Sequence, residues 1–86
     1  MGTCKFSIPF SGDASEIVSK ARNTVEQNGG VFNGDNIAGS FDISLYGNTI
    51  KGSYAINGVD LEITIDEKPF LLSCSMIESF LKSKIQ

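Results

Sequence analysis

The stretch YAINGVDLEITI, residues 54–65, decides the fold because it predicts a β-hairpin and the direction of the core. Its Asn57-Gly58 pair accepts the positive φ angles of a type I′ turn, which joins two antiparallel strands. After the turn, polar residues alternate with the apolar residues Val59, Leu61, Ile63 and Ile65. This alternation is typical of a strand with one buried face and one solvated face. The stretch therefore predicts a sheet and its inward side, but it indicates no reaction.

Length, charge and hydropathy limit the class of protein. The chain has 86 residues, and we interpret residues 1–86 as a single domain. The net charge is −3 and no basic run is present, so nucleic-acid binding is not expected. Apolar runs are too short for a transmembrane helix, and the N-terminus lacks the pattern of a signal peptide. We therefore expect a cytoplasmic protein.

The chain has two cysteines, Cys4 and Cys74, and no histidine. A small secreted domain stabilised by disulfides usually carries more cysteines, so we expect two buried thiols. A disulfide would require their Cα atoms to lie within about 7 Å of each other. Without histidine the chain lacks the commonest general base and the commonest metal ligand. We expect no metal and no cofactor.

A strand and a helix open the chain. Residues 3–8 alternate in polarity and predict the strand. Asp13 and Glu16 form a capping-box-like start for the helix, whose apolar residues then recur at helical spacing. Gly29 suits the left-handed position just past the end of that helix.

Residues 31–56 predict three strands that continue into the hairpin as an antiparallel meander, with turns at residues 33–36 and 47–48. Their apolar residues share the inward face of the hairpin. Glycine weakens the interior of a strand, so Gly39 and Gly52 require a reason. Either a bulge or the close packing of a helix over the sheet would supply one.

A C-terminal helix completes the chain. Pro69 interrupts the last strand, and a second capping box at Ser75 and Glu78 predicts where the helix begins. Glu78 and Lys82 form a favourable i, i+4 pair. The fold class is α+β, in the order β-α-β-β-β-β-α. We expect a curved antiparallel five-stranded sheet of order 2-3-4-5-1, packed by two helices, with the C-terminal helix across its concave face.

This layout resembles a miniature helix-grip fold, in which a curved sheet wraps a long C-terminal helix. Three segments are similar to a family of short bacterial polyhydroxyalkanoic acid system proteins: NGDNI at 33–37, IKGS at 50–53, and ITIDEKPFLL at 63–72 followed by Ile77-Glu78. The resemblance covers most of the chain from Gly30 onwards. It implies the fold and, through the family's name, association with polyester granules. It implies no catalytic residues.

The acidic residues of the last strand do not predict a catalytic or metal site. Asp60 and Glu62 share the polar face of one strand, but a calcium or magnesium site requires several oxygen ligands converging from a shaped loop. We interpret this face as solvated. No acid–base pair or activated nucleophile stands out, so an enzyme is the least favoured hypothesis.

The favoured hypothesis is a non-enzymatic interaction module that binds a hydrophobic granule surface or a protein partner. It rests on four apolar residues that lie beside breaks in regular structure: Phe10, Phe70, Leu71 and Leu72. If they are exposed together, they form a patch too large to be incidental.

The alternative is a carrier of a small apolar ligand in a cavity between sheet and helix. Larger helix-grip proteins hold apolar ligands there, and such pockets are mostly apolar. We expect five residues around this space: Phe41, Tyr54, Ile63, Met76 and Phe80. In so short a chain, however, these side chains are expected to fill it.

Overall fold

Five strands and two helices follow one another in the order that the sequence predicts. The computed structural model describes residues 4–45 and 47–85. The elements are β1 (Cys4–Pro9), α1 (Ala14–Gln27), β2 (Val31–Gly34), β3 (Ala38–Leu45), β4 (Asn48–Asn57), β5 (Asp60–Glu67) and α2 (Cys74–Ile85). Neither α1 nor α2 is long and apolar enough to cross a membrane.

The five strands form one antiparallel sheet in the order β1-β5-β4-β3-β2. This confirms the predicted order of strands and the α+β class. Because β1 and β2 lie at opposite edges and run parallel, α1 must carry the chain across the whole sheet. The 14 residues of α1 span about 21 Å, and four strand spacings span about 19 Å. One helix is therefore long enough for the crossover.

The core lies between the sheet and the two helices. Every second residue of the sheet points towards the helices, and α1 packs against α2 while α2 also packs on β1. The largest fully buried side chains are Ile8, Ile43, Ile50, Leu61, Ile65, Ile77, Leu81 and Ile85. The apolar stripe of α1 is buried as predicted, and Thr24 joins it, where its hydroxyl donates to the carbonyl of Lys20 over 2.9 Å.

The hairpin between β4 and β5 turns one residue later than predicted. Asn57 pairs with Asp60, so the two loop residues are Gly58 and Val59. Gly58 has a φ of 64°, which a type II′ turn requires at its first loop position. A glycine suits the second position of a type I′ turn equally well, so the residue pair alone does not fix the register. The pairing moves by two residues, which keeps the side chains of the paired residues on their predicted faces. Val59 is the exception, because it becomes a loop residue and is 66% exposed.

Gly52 explains one irregularity of the sheet. Lys51 pairs with Glu67 but Gly52 pairs with Ile65, so β5 carries one extra residue at this point. A Cβ on Gly52 would lie 2.5 Å from the carbonyl oxygen of Thr64. The predicted bulge is therefore present, and the backbone approaches too closely for any larger residue.

Aromatic rings, rather than a helix, pack on both strand glycines. Gly39 pairs with Tyr54, and Phe41 pairs with Gly52, on the neighbouring strands β3 and β4. A Cβ on Gly39 would lie 2.6 Å from the Tyr54 ring. Each ring fills the space that the facing glycine leaves, which pins the register of the two strands.

Both predicted capping boxes differ from the structure. The backbone N–H of Met76 donates to Oγ of Ser73 over 3.2 Å, so Ser73 caps α2 and the prediction of Ser75 is wrong. Asp13 occupies the N-cap of α1, but its side chain makes no capping bond. The predicted pair of Glu78 and Lys82 is confirmed, with 2.8 Å between carboxylate and ammonium.

A disulfide joins Cys4 to Cys74, with their Cα atoms 5.6 Å apart. The prediction of two free thiols is therefore wrong. Cysteine count suggested free thiols, whereas pairing depends on the fold. The start of β1 and the first turn of α2 meet although 70 residues separate them in the chain.

Candidate functional site

The space between the sheet and the helices is almost completely filled. Phe41, Tyr54 and Ile63 line it as predicted, and the cavity that they leave has a volume of about 10 Å³. That is the room of about one water molecule. The predicted cavity set is also divided, because Met76 is 46% exposed and Phe80 is only partly buried. Among the side chains that the structure describes, the interior leaves no room for an apolar ligand.

Tyr54 has a structural environment. Its ring stacks on Phe32 with 5.1 Å between ring centres, and its hydroxyl donates to the carbonyl oxygen of Asp35 over 2.6 Å. Burial, and then the negative charge of Asp35, raise the pKa of the Tyr54 hydroxyl. Tyr54 therefore stays protonated at neutral pH and acts as a hydrogen-bond donor.

Asp35 stabilises the turn between β2 and β3. Its Oδ1 accepts hydrogen bonds from the N–H groups of Ile37 and Ala38, over 2.9 and 3.1 Å. These bonds, with that from Ala38 the larger contribution, lower the pKa of the Asp35 carboxyl. The carboxylate is thus occupied by the backbone of its own turn, as Asp often is in short loops.

The acidic residues of β5 lie on a solvated face, as expected. Glu62 and Asp66 are exposed, and Glu62 accepts a hydrogen bond from the side-chain amide of Asn57 over 2.9 Å. Across residues 4–45 and 47–85, no three acids or cysteines come together as metal ligands would. The polar face of β5 is therefore exposed to solvent and does not form a metal site among these residues.

The predicted partner surface is divided between exposed and buried residues. Phe70 is 93% exposed and Leu71 is 79% exposed, whereas Leu72 is buried. The N–H of Leu72 donates to the carbonyl of Pro69 over 3.1 Å. This tight turn directs Leu72 into the core and leaves Phe70 and Leu71 at its tip.

Phe10 does not belong to the same surface. It is partly buried, and it follows the end of β1 that lies opposite Cys4. Its N–H donates to the carbonyl of Val59 in the β4–β5 turn over 2.9 Å. Phe10 and the Phe70–Leu71 pair therefore lie towards opposite ends of the molecule.

Two residues predicted for the interior are not fully buried: Met76 is exposed on the outer face of α2, and Phe80 is partly buried against the core. Ile77, Leu81 and Ile85 recur every four residues and form the buried stripe of the helix. Met76 and Phe80 precede this stripe by one position, which turns them about 100° around the helix. They border an open groove together with Ser75, Ser79 and Ser83. The serines between them were the sequence signal for an outward face.

Four apolar residues thus lie on α2 or in the turn just before it. We define the α2 surface as Phe70, Leu71, Met76 and Phe80. Three of them are exposed, and Phe80 is partly buried. Such a concentration of exposed apolar side chains marks a candidate interaction surface.

Comparison of the chain with protein-family models, with curated proteins and with solved structures finds no match.

Proposed function

We propose that this chain is a non-enzymatic interaction module that binds a hydrophobic surface or a protein partner through the α2 surface. The observation that supports the proposal is the exposure of two large neighbouring side chains, Phe70 at 93% and Leu71 at 79%. Full burial of such a side chain stabilises a complex by about 1.5–3 kcal/mol. The two side chains together contribute about 3–6 kcal/mol to binding when both are fully buried.

The turn that carries this pair is held on both sides. Leu72 is buried directly after it, and the hydrogen bond from Leu72 to Pro69 closes it. Two residues further on, Cys74 is bonded to Cys4 of the sheet. A binding residue that is held in place before contact loses little conformational entropy on binding.

The resemblance to polyhydroxyalkanoic acid system proteins suggests a polyester granule as the surface. A solid polyester offers apolar area without a shaped pocket. An exposed apolar pair can bind such a surface directly. A ligand carrier would instead need an interior cavity, and the cavity of about 10 Å³ is too small. We do not favour the carrier alternative.

The expected cytoplasmic location stays a prediction. Disulfides persist mainly in oxidising compartments, so the bond between Cys4 and Cys74 favours a location outside the cytoplasm. Alkylating free thiols in intact cells before lysis distinguishes a cytoplasmic location from one outside the cytoplasm. Blocked cysteines indicate a reducing compartment, and unreacted cysteines indicate an oxidising one.

Adsorption to amorphous polyester particles tests the proposed function. We expect the double variant Phe70→Ser/Leu71→Ser to adsorb at least about tenfold more weakly than the wild type. The control Ile37→Ser/Val59→Ser removes two other exposed apolar residues, at 71% and 66% exposure, and is expected to adsorb normally. Equal adsorption of the wild type and the Phe70→Ser/Leu71→Ser variant, or an equal loss in both variants, contradicts the proposal.

A further inference from the structure

Charge is distributed unevenly along this acidic chain. Nine of its ten acidic residues lie upstream of Lys68. Residues 68–86 contain three lysines and one glutamate, a net charge of +2 against −3 for the whole chain. The element that carries the exposed apolar residues is therefore the positively charged part of the molecule.

The lysines lie next to the α2 surface. Lys68 is two residues from Phe70 in the chain, and the ammonium of Lys84 lies 6.0 Å from the ring centre of Phe80. The ion pair of Lys82 with Glu78 neutralises the one acid of this region, with side chains 36% and 37% exposed. Exposed pairs of this kind are weak, so Lys82 can exchange Glu78 for another anion.

The acidic residues are divided between the two sides of the molecule. On α1, which packs against α2, Glu16 and Glu26 are balanced by Lys20 and Arg22. Glu62 and Asp66 lie on the solvated face of the sheet, and the helices cover the opposite face. A negatively charged plane would therefore attract α2 and repel the far side of the molecule. The positive charge of α2 and of Lys68 favours this orientation of approach.

We propose that the α2 surface docks on a bilayer that contains anionic lipids. This inference rests on the proposed function and extends the bound surface from polyester to an anionic bilayer. Exposed aromatic and aliphatic side chains enter the boundary between headgroups and acyl chains, while neighbouring lysines meet the anionic headgroups. Phe70 and Leu71 supply the apolar contact, and Lys68 and Lys84 supply the charge.

Vesicle co-sedimentation tests this inference, with phosphatidylcholine vesicles compared with vesicles that also contain phosphatidylglycerol. We expect the wild type to bind the anionic vesicles at least about tenfold more tightly and to lose this preference at high salt. The variant Lys68→Gln/Lys84→Gln is expected to lose about tenfold in affinity for them. The control Lys5→Gln/Lys20→Gln changes the net charge equally and is expected to bind as the wild type does.

Equal binding to both vesicle types, or an equal loss in the two lysine variants, overturns the inference. Failure of the bilayer inference is distinguishable from failure of the proposed function. A wild type that adsorbs to uncharged polyester particles but to neither vesicle type retains the proposed function and loses the anionic bilayer. The positive charge would then be assigned to an acidic protein partner.

Discussion

Tyr54 connects three strands through a single side chain. It stands on β4, its ring covers Gly39 of β3, and the same ring stacks on Phe32 of β2. The hydroxyl then reaches the carbonyl of Asp35 in the β2–β3 turn. Because β2 has only four residues, this contact compensates for the few hydrogen bonds that so short an edge strand can make.

We expect Tyr54→Phe to lower the free energy of unfolding by about 1 kcal/mol, because it removes the hydrogen bond to Asp35 and leaves the ring stack. Urea unfolding followed by circular dichroism measures the loss. Tyr54→Leu, which also removes the stack and uncovers Gly39, is expected to lose clearly more. If Tyr54→Phe unfolds at the same urea concentration as the wild type, the hydroxyl contributes nothing.

Asp35 makes the stability depend on pH. Its folded-state pKa lies below the ordinary value of 3.8 because backbone N–H groups bond the ionised form. The contribution of the carboxylate is therefore complete above the ordinary value and is lost as the pH falls through the folded-state pKa. We expect Asp35→Ala to destabilise the protein more at neutral pH than in strong acid.

The variant Asp35→Asn provides the control, since its side-chain oxygen can accept both bonds without titrating. The difference in free energy of unfolding between Asp35→Asn and Asp35→Ala should not change with pH. A difference between the wild type and Asp35→Asn that is the same at neutral pH and in strong acid would argue against the role of the charge.

At the level of strands and helices, residue type and hydrophobic period predicted each element but not where it begins or ends. Two nearby residues, or two positions of one residue, were equally suitable at those ends. Gly58 could occupy either loop position of its turn, and only the pairing of Asn57 with Asp60 decides which. Likewise Ser73 and Ser75 are both good N-caps, and the sequence favoured Ser75 because Glu78 completes a capping box. The structure begins α2 earlier, where Cys74 can reach β1.

We expect Ser73→Ala to lower the free energy of unfolding by about 1 kcal/mol, because the first turn of α2 loses its capping acceptor. Ser75→Ala serves as the matched control and is expected to cost less, since Ser75 lies inside the helix. Thermal unfolding of the two variants under the same conditions compares them. A larger loss of stability for Ser75→Ala than for Ser73→Ala would instead support the predicted capping box at Ser75 and Glu78.

At the scale of the whole molecule, the disulfide holds together two ends that local patterns cannot connect. A domain of 86 residues buries only about 60% of its unfolded surface, so one long-range cross-link is a large part of its stability. Hydrophobic periodicity predicted the strands and their inner face, and the order of the sheet was predicted from the succession of strands along the chain. Periodicity could not predict that Met76 is exposed and Phe80 only partly buried, because the buried stripe of α2 is narrower than its apolar composition suggests.

Reducing the Cys4–Cys74 bond is expected to lower the free energy of unfolding by about 4 kcal/mol, because the unfolded chain regains the freedom of a long loop. Urea unfolding with and without a thiol reductant measures the difference. The variant Cys4→Ala/Cys74→Ala should respond to the reductant not at all. A reductant effect of the same size in that variant would show that the disulfide is not its cause.

Insertion of Phe70 and Leu71 into the bound surface can be observed directly. Because the chain has no tryptophan, Phe70→Trp places a single fluorescent reporter at the proposed contact, and Val59→Trp places one at an exposed apolar site elsewhere. We predict that polyester particles shift the emission of Phe70→Trp to shorter wavelength and leave that of Val59→Trp unchanged. An unchanged spectrum at position 70, or equal shifts at both positions, would show that Phe70 and Leu71 do not insert into the surface.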